Sequence, residues 1–139
     1  MVTLKVGVKG TGKTKTLVDE VHQAALSSKG VVVCIEYDRK LNYYIRSSVR
    51  LIDAKDYGVN DGASLYGFVC GALACNYDIT ELFIDSALKI CGDDLKGFEE
   101  FMVKLDFIAE KTGTNCFITA SLPEEQLPEG LRRFTEIRT

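Results

Sequence analysis

At 139 residues the chain has room for one domain, spanning 1–139, because domains occupy about 100–200 residues each; a second independent core is excluded. With 46% hydrophobic and 27% charged residues, two prolines and no low-complexity tract, the composition is that of a compact soluble protein. A net charge of −3 leaves no bulk footprint for wrapping nucleic acid or holding an anionic membrane.

In chain order, Val2, Leu4 and Val6 alternate with Thr3 and Lys5, the period of a strand, and the run stops in a turn containing Gly7, Gly10 and Gly12. The first residues lack a charged stretch followed by a long apolar one, so they do not read as a secretory leader. Over 13–28, Leu17, Val18, Val21, Ala24 and Ala25 form one stripe of a helix, and Gly30 is placed to end it in a left-handed conformation. The unbroken β-branched run 31–35 predicts a strand covered on both faces, as in parallel α/β sheets. A short extra strand follows at 49–52, its place in the sheet open. The apolar segment 63–75 is shorter than the ~20 residues of a membrane span and predicts a buried helix. Next comes a strand at 81–85 that ends in Asp85.

Leu95, Phe98, Met102, Leu105 and Ala109 recur at helical steps, predicting a helix that starts near Asp93 or Asp94 and ends at Gly113. A strand at 115–120 follows. The remainder holds both prolines and reads as irregular until 134–138, which alternates like a short edge strand. Strands and helices alternating in this way predict right-handed βαβ units in a mostly parallel, three-layer α/β/α sandwich.

The five cysteines, Cys34, Cys70, Cys75, Cys91 and Cys116, form no C-x-x-C pair and fall mostly within apolar runs. They are expected to be buried, reduced thiols, which points to the cytoplasm. The single histidine, His22, leaves little material for a zinc site or a Ser/His/Asp relay.

The chemistry concentrates in Gly7-Val8-Lys9-Gly10-Thr11-Gly12-Lys13-Thr14, which fits G-x-x-x-x-G-K-[ST] between a predicted strand and a predicted helix. Glycines let successive N–H groups, from about Gly10 to Thr14, wrap a phosphate, and the helix N-terminus adds its dipole. Lys13 then reaches the β- and γ-phosphates, and the Thr14 hydroxyl is available to the bridging Mg²⁺. Lys9 and Lys15 add positive potential beside this loop.

This segment is similar to the Walker A loop of P-loop NTPases, and Leu82-Phe83-Ile84-Asp85 resembles their Walker B strand. The likeness runs over about two-thirds of the chain, from Val2 to Ser121, and points to the RecA-like division, in which an additional strand lies between the two Walker strands. More narrowly, the chain resembles short bacterial RecA-like ATP-binding proteins. The resemblance implies a mostly parallel five-stranded sheet with the Walker A strand central, ATP as ligand, Mg²⁺ held by Thr14 and Asp85, and Gly7, Gly10, Thr11, Gly12, Lys13, Thr14 and Lys15 around the phosphates. The polar residue ending the inserted strand is Ser121, with Thr119 second. Where many members carry a glutamate directly after the Walker B aspartate, this chain has Ser86. RecA-like members place that base at the end of the second strand, where Glu36 stands, with Asp38 as rival.

Other candidates are Tyr43 and Tyr44 for stacking on a base, the Gly67/Gly71 pair for a helix–helix contact or for close packing against the sheet, and Arg132, Arg133 or Arg138 as arginine fingers. No N/T-K-x-D guanine motif is present, since Asn42 and Asn76 are each followed by tyrosine. The leading expectation is therefore Mg²⁺-dependent ATP binding with hydrolysis, Lys13 and Glu36 acting on the phosphate and the water. A nucleotide-gated regulator with little turnover is the alternative, and a small-molecule kinase is third, because such enzymes usually need an arginine-rich lid and the middle of the chain offers only Arg39, Arg46 and Arg50. Thr3 and Lys5 on one side of the first strand predict a thinly covered sheet face, and with it association with a second copy or another protein.

Overall fold

The computed structural model describes residues 1–39, 41, 44–45 and 48–135. Its elements are β1 (Val2–Gly7), α1 (Lys13–Ser27), β2 (Val31–Glu36), β3 (Arg50–Asp53), α2 (Gly62–Cys75), β4 (Ile79–Ile84), α3 (Ala87–Ile90), α4 (Leu95–Thr112) and β5 (Asn115–Ser121). Short 3-10 turns occupy Ala54–Tyr57, Glu124–Gln126 and Glu129–Phe134. The five strands form one all-parallel sheet in the order β1-β5-β4-β2-β3, so β5 lies between β1 and β4 as the expected inserted strand.

Strand alternation assigns every side chain to a layer. Leu4, Val33, Ile35, Leu82, Ile84, Ile118 and Ala120 face a large core shared with Leu65 and Val69 of α2 and Phe98, Met102 and Leu105 of α4. Val32, Cys34 and Phe83 point the other way, into a smaller core with Leu17, Val21 and Ala24 of α1 and with Leu41 and Val49. Both sheet faces are thus covered, giving the three-layer sandwich. By the same alternation Glu36, Asp85 and Thr119 belong to the α1 face, at the C-terminal ends of their strands, where open α/β sheets bind ligands.

Several expectations require correction. β1 forms an edge of the sheet rather than its centre. Among the described residues the segment after β5 supplies no flanking strand: it folds into 3-10 turns, the last of which packs against α4 and β1. Phe134 closes the last of these turns and Thr135 caps it, while 136–138 of the proposed 134–138 strand lie outside the described residues. Gly30 does not end α1 in a left-handed conformation: α1 ends at Ser27, and its cap, Ser28, already has extended backbone. A Cβ at Gly30 would instead collide with Thr80 Cγ2 and the Asp78 carbonyl, so close approach to β4 is what requires glycine there. Gly67 and Gly71 are not packed against the sheet either, since a Cβ at either position would meet open space. Of the cysteines, Cys34, Cys91 and Cys116 are buried, Cys70 is half-buried and Cys75 is exposed; all are free thiols. Burial pushes Cys91 and Cys116 up to about 12 and raises Cys34 further still.

Gly113 does end α4 in the left-handed region, at φ 72°, its N–H donating to the Ala109 carbonyl. α2 starts from a reciprocal cap in which Ser64 N–H donates to Asp61 at 2.7 Å. No helix among the described residues is long and apolar enough to cross a membrane.

Candidate functional site

The turn between β1 and α1 depends on glycine at two points: Gly10 and Gly12 sit at φ 87° and 86°, a region that side-chain-bearing residues avoid. Gly12 is the N-cap of α1, and no side chain caps this helix. The turn is closed from inside. Thr11 Oγ1 donates to the Val8 carbonyl at 2.8 Å, and Lys13 Nζ donates to the same carbonyl at 2.9 Å. Lys13 is buried, unusual for a lysine, and burial holds its pKa below the ordinary range; Asp85 works against that shift and Lys5 adds to it.

Across from this turn, β4 and β5 present a hydrogen-bonded carboxylate. Thr14 Oγ1 lies 3.2 Å from both carboxylate oxygens of Asp85, and Thr119 Oγ1 donates to Asp85 Oδ1 at 2.7 Å. Thr119 in turn accepts the Ser86 N–H at 2.8 Å. One hydroxyl therefore orients Asp85 and fixes the first residue after it, which itself takes a left-handed φ of 59°. Of the two candidates near the end of the inserted strand, Thr119 makes this contact, while Ser121 is exposed at the border of the cavity.

Between these walls lies a cavity of about 400 Å³. Gly10, Gly12, Lys13, Thr14 and Lys15 line it from the turn and α1, and Asp85, Thr119 and Ser121 from the strand ends. Gly7 pairs with Ser121 at the neck of the turn. Lys9 also borders the cavity, and Lys15 does so while holding Asp19 at 3.4 Å on the surface. Three lining residues escaped the sequence reading: Ser86, Lys89 and Asp93. They come from α3 and its flanks, an element too short to leave a periodic signal.

Glu36 is not brought to this cavity. It is buried on the α1 face next to β4, and its Oε1 accepts the Leu41 N–H at 2.7 Å. Its rival Asp38 faces Lys55 at 3.5 Å, also away from the lining. Arg132 pairs with Glu129 and Arg133 with Asp106. Tyr43, Arg46 and Arg138 lie outside the described residues. Tyr44 is exposed, and its carbonyl accepts from His22 Nε2–H at 2.7 Å, which gives His22 a structural tie rather than a chemical task.

Compared with known proteins, the chain matches no family model and no curated protein.

The residues fit a metal-bound triphosphate. A hydroxyl and a carboxylate brought together from α1 and β4 supply hard oxygen donors beside a cationic, glycine-lined turn. Among the described residues no cluster of three or more His, Cys, Asp or Glu is present. Mg²⁺ bound through phosphate and water needs none.

Proposed function

We propose that this chain binds a nucleoside triphosphate with Mg²⁺, ATP by its resemblance to P-loop NTPases, in the cavity between the Gly7–Thr14 turn and Asp85. The observation that carries this reading is the convergence of buried Lys13, the two left-handed glycines and the Thr14–Asp85 contact on one cavity. Lys13 and the amides of the turn hold the phosphate oxygens. Thr14 and Asp85 hold the metal, whose charge when bound offsets that of the outer phosphates. Thr119 keeps Asp85 aimed.

For hydrolysis the resemblance implies Glu36 as the base for the water that attacks the γ-phosphorus, with phosphate and the nucleoside diphosphate released; its carboxylate, bonded to the Leu41 N–H outside the cavity lining, would first have to turn into the cavity. A second reading, binding with little turnover, is favoured by the engagement of Glu36 with the Leu41 N–H outside the cavity lining. Steady-state phosphate release from ATP separates the two: turnover that Glu36→Gln abolishes while ATP still binds supports the ATPase. Equal rates in variant and wild type exclude Glu36. The free thiols go with a cytoplasmic setting.

A further inference from the structure

We propose that Lys89 is a ligand of the terminal phosphate and signals its presence by leaving the ring of Tyr37; this rests on the reading that the cavity holds a nucleoside triphosphate. Of the lysines bordering the cavity, Lys9, Lys13 and Lys15 belong to the turn and α1, whereas Lys89 enters from α3, four residues after Asp85. The turn amides serve the inner phosphates. Asp85 marks the metal and hence the outer ones, and the chain that leaves Asp85 carries Lys89 directly there.

The backbone under Lys89 is anchored to the same cluster. Ser86 N–H is held by Thr119 Oγ1, which also bonds Asp85, and left-handed residues bracket α3 at Ser86 and Asp93. Among the described residues Asp93 is the one acidic lining residue besides Asp85, so a cation from α3 offsets its repulsion of an incoming phosphate.

Lys89 is exposed and forms no ion pair among the described residues; its ammonium rests 5.4 Å from the centroid of Tyr37. A cation on a partly exposed ring is held more weakly than one hydrogen-bonded to a phosphate oxygen, so the γ-phosphate draws Lys89 away. The ring keeps Lys55, 5.8 Å from its centroid, as its remaining cation. Tyr37 directly follows β2 and heads the loop that caps Glu36. Transfer of Lys89 therefore carries the nucleotide state from the cavity to Tyr37, at the end of β2 next to Glu36.

Calorimetric titration of ATP–Mg²⁺ and ADP–Mg²⁺ into wild type, Lys89→Met, Lys89→Arg and Tyr37→Leu tests this. Lys89→Met should weaken ATP about tenfold, equivalent to about 1.4 kcal/mol, and leave ADP within about twofold. Lys89→Arg should retain most of the ATP preference. Tyr37→Leu, which removes the competing ring, should strengthen ATP over ADP by about threefold. ADP affinity serves as the control for folding. If Lys89→Met weakens both nucleotides alike or neither, the proposal is overturned while the nucleotide site stands; an unchanged ATP preference in Tyr37→Leu overturns the exchange with the ring. A wild type that binds neither nucleotide removes both readings together.

Discussion

Gly10 and Gly12, Lys13 and Thr119 each have defined physical tasks, and each can be challenged alone. Alanine at Gly12 must occupy φ 86°, a strain of about 1–2 kcal/mol. Gly12→Ala should therefore lower the melting temperature by several degrees and weaken nucleotide binding in calorimetry. Thr119→Val removes a donor from Asp85 and an acceptor from Ser86, leaving buried polar groups unsatisfied at about 1–3 kcal/mol. A denaturant midpoint lower by that amount, with a weakened Mg²⁺ requirement for nucleotide binding, is expected; unchanged metal dependence would leave Thr119 purely structural.

Lys13 carries a pH signature. Its folded pKa is lowered, chiefly by burial, below the 10.5 of a free lysine. Below the folded value the charge is buried at full penalty. As pH climbs through that value toward 10.5, the native state sheds its proton before the unfolded chain does, so this group's contribution to stability rises with pH. Phosphate bound beside Lys13 restores the proton. ATP binding in the alkaline range just below 10.5 should thus take up protons, measured as a dependence of calorimetric heat on the buffer's ionisation enthalpy. Equal heats across buffers would contradict a phosphate at Lys13.

At the scale of elements, glycines test the packing. Gly30→Ala drives a methyl into Thr80 and the Asp78 carbonyl, a clash that should cost about 1–3 kcal/mol of stability in chemical denaturation. Gly67→Ala and Gly71→Ala add a methyl to open space within α2 and should each stabilise by about 0.5–1 kcal/mol. The two sets differ in what lies beside the Cα and in setting, Gly67 and Gly71 being inside α2 and Gly30 in the bend before β2, and neither difference is written in the glycine itself. β2 was legible because a buried parallel strand favours a β-branched apolar run, and α4 because its apolar stripe recurs before a left-handed Gly113. The turn was legible because its glycines and Lys13 lie within eight consecutive positions. Gly30, with the same letter, answers to a contact with residues about fifty positions away, which no local pattern encodes. α3 is a single turn and shows no period, so Lys89 and Asp93 were invisible as lining residues. Glu36 was legible as a strand-end carboxylate, but its bond to Leu41 depends on the fold of the following loop.

For the molecule as a whole, the position of β1 at the sheet edge leaves its α1 face lightly covered. A cleft of about 230 Å³ there is lined by Thr3, Glu20, Gln23, Glu81 and Phe117, with burial raising the Glu81 pKa. Polar Thr3 and Lys5 on this strand match the expected thin cover, and association through this face predicts a species larger than the monomer in sedimentation with a non-hydrolysable ATP analogue. A single monomeric species with and without the analogue would exclude it.

The proposed function turns on whether the cavity takes a metal-bound triphosphate, and calorimetric titration of ATP into wild type and Lys13→Ala, with Mg²⁺ and with EDTA, measures that directly. Wild type should give saturable heat that needs Mg²⁺, and at one hundred times Kd the ligand should stabilise the fold by ~2.7 kcal/mol in a parallel melt. Lys13→Ala should give neither. Absence of heat and of any thermal shift in the wild type with all common nucleoside triphosphates at saturating concentration would contradict the assignment of the Gly7–Thr14 turn as a phosphate site.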